Sequence, residues 1–281
     1  MSIETLRDSY ATTRAMLSEF MLPNDAEREA RLLLCHALGW SAASLLTRLS
    51  EPWPAGDAPG RFIAALTARM DRQPLAQIVG EWPFYGRDFR VTSDTLTPRP
   101  DTETLIEHAL AGSFTRLLDL GTGTGAIAVT LLAERPSATG VATDISMTAL
   151  EIARENAALH GVADRLTLTH AAWFEGLAGR YDLIVSNPPY VTEAAYATLA
   201  PEVTRWEPRL ALTPGGDGLD AYRAIVNTAP AYLDTGGRLL VEIGHDQGQA
   251  VAALFAAAGL ADIAVHPDIN GADRVVAGRG Q

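Results

Sequence analysis

Leu117-Leu118-Asp119-Leu120-Gly121-Thr122-Gly123-Thr124-Gly125-Ala126 decides the fold. Its first four residues read as the end of a buried strand, the alternating glycines as a tight turn, and the apolar run from Ala126 as the start of a helix. Such a turn lets bare backbone N–H groups at a helix N-terminus approach a ligand closely. Gly121, Gly123 and Ala126 also satisfy the dinucleotide spacing G-x-G-x-x-G/A, so the turn alone leaves the ligand open.

Asp144, at the end of the next predicted strand, narrows the choice. A carboxylate there accepts hydrogen bonds from two ribose hydroxyls, in NAD and S-adenosylmethionine alike. Two details favour the second. Asp119, just before the glycines, opposes a pyrophosphate but suits a cationic methionine end, and the glycine at position 125 opens room beside the turn. Ala172-Trp173-Phe174 follows the third predicted strand, where an aromatic would either pack against an adenine or fill the core; the residues leave both open.

Outward from this stretch the chain alternates strand and helix. Strands are predicted at residues 116–120, 139–145, 165–170, 181–186, 238–243, 261–266 and 274–278, with helices at 126–134, 146–160, 219–232 and 247–258. Alternation implies a mostly parallel, doubly wound sheet. The link between the last two strands, residues 267–273, is too short for a crossover helix, so these strands should pair antiparallel. Seven strands ending in an antiparallel hairpin describe the α/β, Rossmann-like sheet of class I methyltransferases better than an NAD-binding one.

The predicted strand at 181–186 runs directly into Asn187-Pro188-Pro189-Tyr190. Two prolines end a sheet ladder, because neither has an N–H to donate and the first restricts the residue before it. The chain therefore leaves the sheet in a fixed, extended shape at a strand's carboxyl end, where open α/β sheets bind ligands. The Asn187 side-chain oxygen and the Pro188 carbonyl supply two acceptors, and Tyr190 supplies a flat face. That set suits a planar group carrying an NH2. An amide or exocyclic amino nitrogen is a poor nucleophile because its lone pair is delocalised. Acceptors on its hydrogens orient it and favour a more tetrahedral nitrogen as a new bond forms.

Residues 1–80 predict a small helical domain. Leu6, Tyr10, Thr13 and Leu17 fall at helical spacing, residues 26–38 repeat apolar positions up to Gly39, Ser41 is placed to cap a short helix to Leu49, and a further helix is expected over 61–72. Residues 81–100 predict a β-hairpin linker around Phe84-Tyr85-Gly86-Arg87, followed by the stiff Thr97-Pro98-Arg99-Pro100-Asp101, with Asp101 or Thr102 as the cap of the next helix. Residues 101–281 form the expected catalytic domain.

Composition excludes several chemistries. All 22 basic residues are arginine, so lysine Schiff-base chemistry is absent. The single cysteine, Cys35, lies in an apolar run and reads as an inert buried thiol. The six histidines are scattered without H-E-x-x-H spacing, and no G-x-S-x-G elbow occurs, so neither a metal site nor a serine hydrolase is expected. Glu242 and His245, near the end of the fifth predicted strand of the alternating region, read as structural. A net charge of −12 disfavours broad contact with a nucleic-acid backbone. No apolar stretch approaches the ~18 residues of a membrane span, and the start of the chain, with Glu4, Arg7 and Asp8, lacks a signal-peptide core. A cytoplasmic monomer is the expectation.

Over essentially its whole length the chain resembles the HemK/PrmC-type protein-(glutamine-N(5)) methyltransferases that modify peptide chain release factors. The resemblance rests on Pro74-Leu75-Ala76-Gln77-Ile78-Val79-Gly80-Glu81, Phe84-Tyr85-Gly86, Thr97-Pro98-Arg99-Pro100-Asp101-Thr102-Glu103, the glycine turn, Asn187-Pro188-Pro189-Tyr190, Glu207-Pro208-Arg209-Leu210-Ala211-Leu212, Gly216-Asp217-Gly218-Leu219 and Asp273-Arg274-Val275-Val276. The glycine turn and Asn-Pro-Pro-Tyr occur in many amino-methyltransferases; the Pro-Arg-Pro and Glu-Pro-Arg blocks together are more specific. Asp101, where Glu is common, and Trp82-Pro83 are mild departures. The resemblance implies an enzyme with a helical substrate-docking domain, a hairpin linker and a class I methyltransferase domain. It implies S-adenosyl-L-methionine as donor, S-adenosyl-L-homocysteine as product, and the glutamine of the release factor's Gly-Gly-Gln motif as acceptor. Gly121, Thr122, Gly123, Thr124, Gly125, Asp144 and Trp173 then match cofactor positions. Asn187 touches both cofactor and substrate, and Pro188, Pro189 and Tyr190 match the glutamine pocket. Two other classes compete: a DNA or RNA amino-methyltransferase, which the acidic charge and missing basic recognition region oppose, and a nonenzymatic binding module.

Overall fold

A computed structural model describes residues 5–281, leaving Glu4 outside the described residues. The chain divides into two units, the first running through Gly80 and including the distant segment Pro201–Trp206, the second holding Glu81–Ala200 and Glu207–Gln281.

The first unit contains α1 (Leu6–Leu17), α2 (Pro23–Leu38), α3 (Ala42–Arg48), α4 (Ala58–Met70) and α5 (Leu75–Val79). Local chemistry sets their ends. The Thr5 and Ser41 side chains accept backbone N–H groups at the starts of α1 and α3, Pro23 opens α2, and Gly39 closes it in a left-handed conformation. Leu6, Leu17, Leu33, Leu34 and Phe62 are buried between these helices. Cys35 is only partly buried, contrary to expectation, although burial still pushes its thiol pKa up.

The second unit opens with a hairpin, β1 (Glu81–Phe84) and β2 (Arg87–Arg90), paired antiparallel. Phe84 and Phe89 from this hairpin enter the core of the unit, so it packs as part of that unit rather than as a bare linker. A 3-10 turn, Pro100–Thr102, leads into α6 (Glu103–Leu110). Then come β3 (Arg116–Leu120), α7 (Ala126–Glu134), β4 (Thr139–Asp144), α8 (Met147–Leu159), β5 (Leu166–His170) and β6 (Tyr181–Ser186). Three short helices follow: α9 (Glu193–Tyr196), α10 (Pro201–Trp206) and α11 (Arg209–Leu212). The unit ends with α12 (Asp220–Thr228), β7 (Leu233–Glu242), α13 (Gly248–Ala257), β8 (Ala261–Pro267) and β9 (Asp273–Arg279).

Helix α10 belongs to the first unit. There Arg72 grips both oxygens of Glu202 at 2.6 and 2.8 Å, and Gln77 Nε2 donates to the Trp206 carbonyl at 2.9 Å.

The seven-stranded sheet has the order β5-β4-β3-β6-β7-β9-β8, parallel except for β9, which pairs antiparallel with both β7 and β8. This is the class I methyltransferase sheet with its terminal hairpin. Successive strand residues face opposite sides: Leu117, Leu183, Val185 and Leu240 enter one core, while Leu118, Ile184, Leu239 and Val241 enter the other. Strand order reverses between β3 and β6, which opens a crevice at their carboxyl ends. Leu120 pairs with Ser186, and the Ser186 hydroxyl donates to the Leu120 carbonyl at 2.7 Å. The residues that follow, Gly121 and Asn187, therefore emerge side by side. Among the described residues, no helix is long and apolar enough to cross a membrane.

Candidate active site

At that crevice the second unit holds a cavity of about 610 Å³, and the glycine turn forms one wall. Gly121 N and Thr122 N both donate to the Thr143 carbonyl at 2.9 Å, stitching the turn to the end of β4. Gly123, with φ +54, has open space where a Cβ would stand, as close approach of a ligand requires. Gly125, with φ +80, stands outside the cavity wall: a Cβ there would lie 3.1 Å from that of Ala153, so it serves the packing of α7 on α8.

Asp144 lines the cavity with its carboxylate fixed from both ends. Oδ2 accepts from Gly123 N at 2.8 Å and Oδ1 from Ser146 N at 2.9 Å. Each ionised oxygen keeps a further lone pair, the complement of a pair of ribose hydroxyls. Trp173 also lines the cavity, its ring 3.4 Å from where a Gly121 Cβ would stand, on a left-handed backbone with φ +53. Its neighbour Phe174 is buried and stacks on Tyr232. The two aromatics thus divide the alternatives the sequence left open. A fixed diol acceptor, an open glycine turn and an apolar ring fit an adenosine carrying a chain that continues past the glycines.

Asp119 takes no direct part. It is fully buried, outside the wall, and accepts from the Thr122 hydroxyl at 2.6 Å through Oδ2, while Oδ1 has no hydrogen-bond partner among the described residues. Burial pushes its carboxyl up to about 7, against the opposing pull of Thr122.

Across the crevice, Asn187 and Pro189 line the cavity. The Asn187 Nδ2 donates to the Thr102 hydroxyl oxygen at 3.3 Å, and Oδ1 accepts no hydrogen bond among the described residues. Pro188 and Tyr190 fall outside the wall. Tyr190 is held through its backbone: its N–H donates to the Leu212 carbonyl at 3.1 Å, and its carbonyl accepts from Gln247 Nε2 at 3.0 Å. Gly218 lies so close that a Cβ would stand 2.4 Å from that carbonyl. Burial, then the nearby Glu242, pushes the Tyr190 hydroxyl up to about 12, so it is neutral throughout the ordinary pH range.

The Pro-Arg-Pro and Glu-Pro-Arg blocks meet here. Arg99 Nη2 donates to both Glu207 oxygens at 2.8 and 2.6 Å, and Thr97 N approaches Oε1 at 3.4 Å. The pairing fixes two parts of the wall, Thr97–Arg99 from one block and Pro208, Leu210 and Ala211 from the other. Burial raises the Glu207 carboxyl even with Arg99 beside it.

Sequence reasoning passed over Asn156, which is fully buried on α8. Its Nδ2 donates to the carbonyls of Thr124 (2.8 Å) and Arg90 (3.1 Å), and its Oδ1 accepts from Arg90 N at 2.7 Å. One side chain thereby ties the glycine turn to the hairpin. The signal was present: Asn156 falls on the buried helical face of Ile152, Ala153 and Ala157.

Comparison with known families matches residues 12–80 to the PrmC N-terminal domain and residues 99–218 to the Methyltransferase small domain. A release factor glutamine methyltransferase from Cereibacter sphaeroides is 60% identical over 256 residues, which cover 91% of this chain and 92% of that protein. One from Geobacter sulfurreducens is 43% identical and covers 99% of this chain and 97% of the relative. Among solved structures, a methyltransferase from Pyrococcus furiosus superposes with a TM-score of 0.54 at 15% identity, covering 80% of this chain and 99% of that one, a likeness of fold alone.

Proposed function

Since this chain belongs to the release factor glutamine methyltransferase family, we propose that it moves a methyl group from S-adenosylmethionine to the side-chain amide nitrogen of the Gly-Gly-Gln glutamine in class I peptide chain release factors. One observation carries the reading: Asn187, its amide oxygen unpaired among the described residues, emerges beside the glycine turn at the point where the sheet reverses.

In this reading Gly121, Thr122, Gly123, Thr124, Asp144 and Trp173 hold the donor, whose positively charged sulfur supplies an electrophilic methyl group. Gly125 supports them by packing the helix behind the turn. Asn187 Oδ1 accepts one N–H of the incoming glutamine amide, and to the carbonyl of Pro188, next in the chain although outside the cavity wall, we assign the second. These bonds draw electron density onto the nitrogen and aim its developing lone pair at the methyl carbon. As the C–N bond forms the bond from methyl to sulfur breaks, its electron pair staying on sulfur, and the nitrogen becomes acidic and releases one proton to bulk solvent as the product leaves. The apolar wall excludes competing water, and no strong base is required. Pro189 shapes the pocket, and Tyr190, anchored by Gln247 and Leu212, keeps the Asn-Pro-Pro turn in place. The helical unit we assign to docking the release factor, in the cytoplasm where translation ends.

The test is transfer of labelled methyl to purified release factor, with nucleic acid as a parallel acceptor. Label on the release factor, lost when the Gly-Gly-Gln glutamine is replaced, is the expected result. Label on nucleic acid in its place would overturn the reading. Asn187→Ala should lower the rate by about 100-fold or more, the scale set by losing one positioned transition-state contact.

A further inference from the structure

The glycine turn is built from residues that enter many backbone shapes at little cost. Gly121, Gly123 and Gly125 stand at φ +71, +54 and +80, a region open to glycine, so hydrogen bonds must set the shape of the turn. Those to its first three residues come from β4, through Thr143 and Asp144. Its far end is held from α8, where Asn156 Nδ2 donates to the Thr124 carbonyl at 2.8 Å. Thr124 lines the cavity and is almost fully buried, whereas Asn156 is fully buried outside the wall.

The same amide grips the hairpin. Nδ2 also donates to the Arg90 carbonyl at 3.1 Å, and Oδ1 accepts from Arg90 N at 2.7 Å. Two carbonyls and one N–H surround the amide, so only one of its two orientations satisfies all three. Phe84 of β1 and the segment from Ser93 to Arg99, which follows β2, form another part of the cavity wall. One buried side chain therefore joins the glycine wall to the wall that the hairpin carries. Two neighbours staple the hairpin without reaching the turn. Arg90 Nε pairs with Glu155 Oε2 at 2.8 Å, and His160 Nε2 meets the Asp88 carbonyl at 2.9 Å.

We propose that Asn156 is a positioning residue for donor binding, a buried clasp that couples the glycine turn to the hairpin. The proposal rests on the S-adenosylmethionine reading above and adds the device that keeps its binding turn in shape. Without the clasp the buried Thr124 carbonyl loses this donor, and the Thr124–Gly125 peptide is free to turn toward another. The donor then binds only the fraction of molecules whose turn is correctly shaped, and its apparent affinity falls by that fraction. The coupling is reciprocal: a ligand that holds the turn also holds Arg90. Asn187 lies on the other side of the crevice, so the rate at saturating donor is kept.

The experiment compares wild type with Asn156→Ala and Glu155→Ala, each checked by circular dichroism for a folded chain. Calorimetry with S-adenosylhomocysteine should show Asn156→Ala binding about 10- to 100-fold more weakly, the scale of leaving buried polar groups unpaired. At saturating S-adenosylmethionine its kcat and its KM for a purified class I release factor should stay within about 3-fold of wild type, a split that general loosening of the fold would not give. Glu155→Ala, which cuts a hairpin staple but not the clasp, should keep the wild-type Kd. Wild-type affinity in folded Asn156→Ala, or equal weakening in Glu155→Ala, would overturn the proposal. A measurement on the wild type alone decides the matter if Asn156→Ala does not fold. With S-adenosylhomocysteine at about 100 times its Kd, the Arg90 amide should exchange with solvent up to about 100-fold more slowly, the limit for an opening that must release the ligand. An Arg90 amide indifferent to bound ligand defeats the clasp and leaves the donor reading standing. A wild type that binds no S-adenosylhomocysteine defeats the donor reading and the clasp with it.

Discussion

Two acidic side chains with different surroundings divide the work near the glycine turn. Asp144 is anchored by two backbone N–H groups and faces the cavity, so replacing it with alanine removes a charged acceptor that nothing else supplies. Calorimetry with S-adenosylhomocysteine should show affinity about 10- to 100-fold weaker, the scale of lost hydrogen bonds to a charged group. Asp119 is enclosed, with one oxygen unpaired among the described residues, and burial holds its carboxyl at about 7 in the folded chain against 3.8 for a free side chain. Between those values the folded state keeps a proton that the unfolded state has released. Its share of stability therefore falls as pH rises through the interval, and the penalty is complete above about pH 7. Asp119→Asn removes the titration but keeps an oxygen for Thr122. The drop in Tm between about pH 5 and about pH 8 should shrink in the variant, and an unchanged drop would place the titrating group elsewhere.

At the scale of elements, the short segments after β6 hold the Asn187–Tyr190 turn in shape. Gly218 makes the point: it has φ +77, and a Cβ would stand 2.4 Å from the Tyr190 carbonyl. Gly218→Ala should cost about 1–3 kcal/mol in urea denaturation and lower activity by shifting the Asn-Pro-Pro-Tyr turn. The strands and helices of the sheet were legible because each carries its own period and punctuation. Residues 116–120, 126–134 and 181–186 have the predicted bounds. The first half of β7 was not, because Asp234-Thr235-Gly236-Gly237 has the chemistry of a turn and forms a bulge: the register against β6 jumps from Leu233 to Arg238, and Gly236 takes a left-handed φ of +75. Helices α9, α10 and α11 are four to six residues long, too short to show a period. Thr102 was read as a cap from its place before a helix, but its hydroxyl oxygen accepts from Asn187, a partner 85 residues away that no local pattern reveals. The cavity residues at strand ends were legible for the opposite reason, since their positions follow directly from sheet topology.

The whole molecule contains a second buried charge network, far from the glycine turn in sequence. In the first unit Arg69 pairs with Glu29 and reaches Glu202 of α10 at 3.5 Å, with its side chain almost wholly enclosed. Arg69→Ala strands the Glu29 carboxylate in a buried setting, which should destabilise that unit by about 3–5 kcal/mol. Hydrogen exchange should show faster amide exchange in α2 and α4, with the sheet of the second unit unaffected. The family, the fold and the crevice all converge on one reaction, and the position of the new methyl group tests that convergence most directly. Purified release factor is incubated with the enzyme and S-adenosylmethionine, digested, and its peptides fragmented in a mass spectrometer. The Gly-Gly-Gln peptide should gain one methyl on the side-chain nitrogen of glutamine with wild type, and none with Asn187→Ala. A release factor left unmodified by wild type, or methylated at another residue, would contradict the assignment.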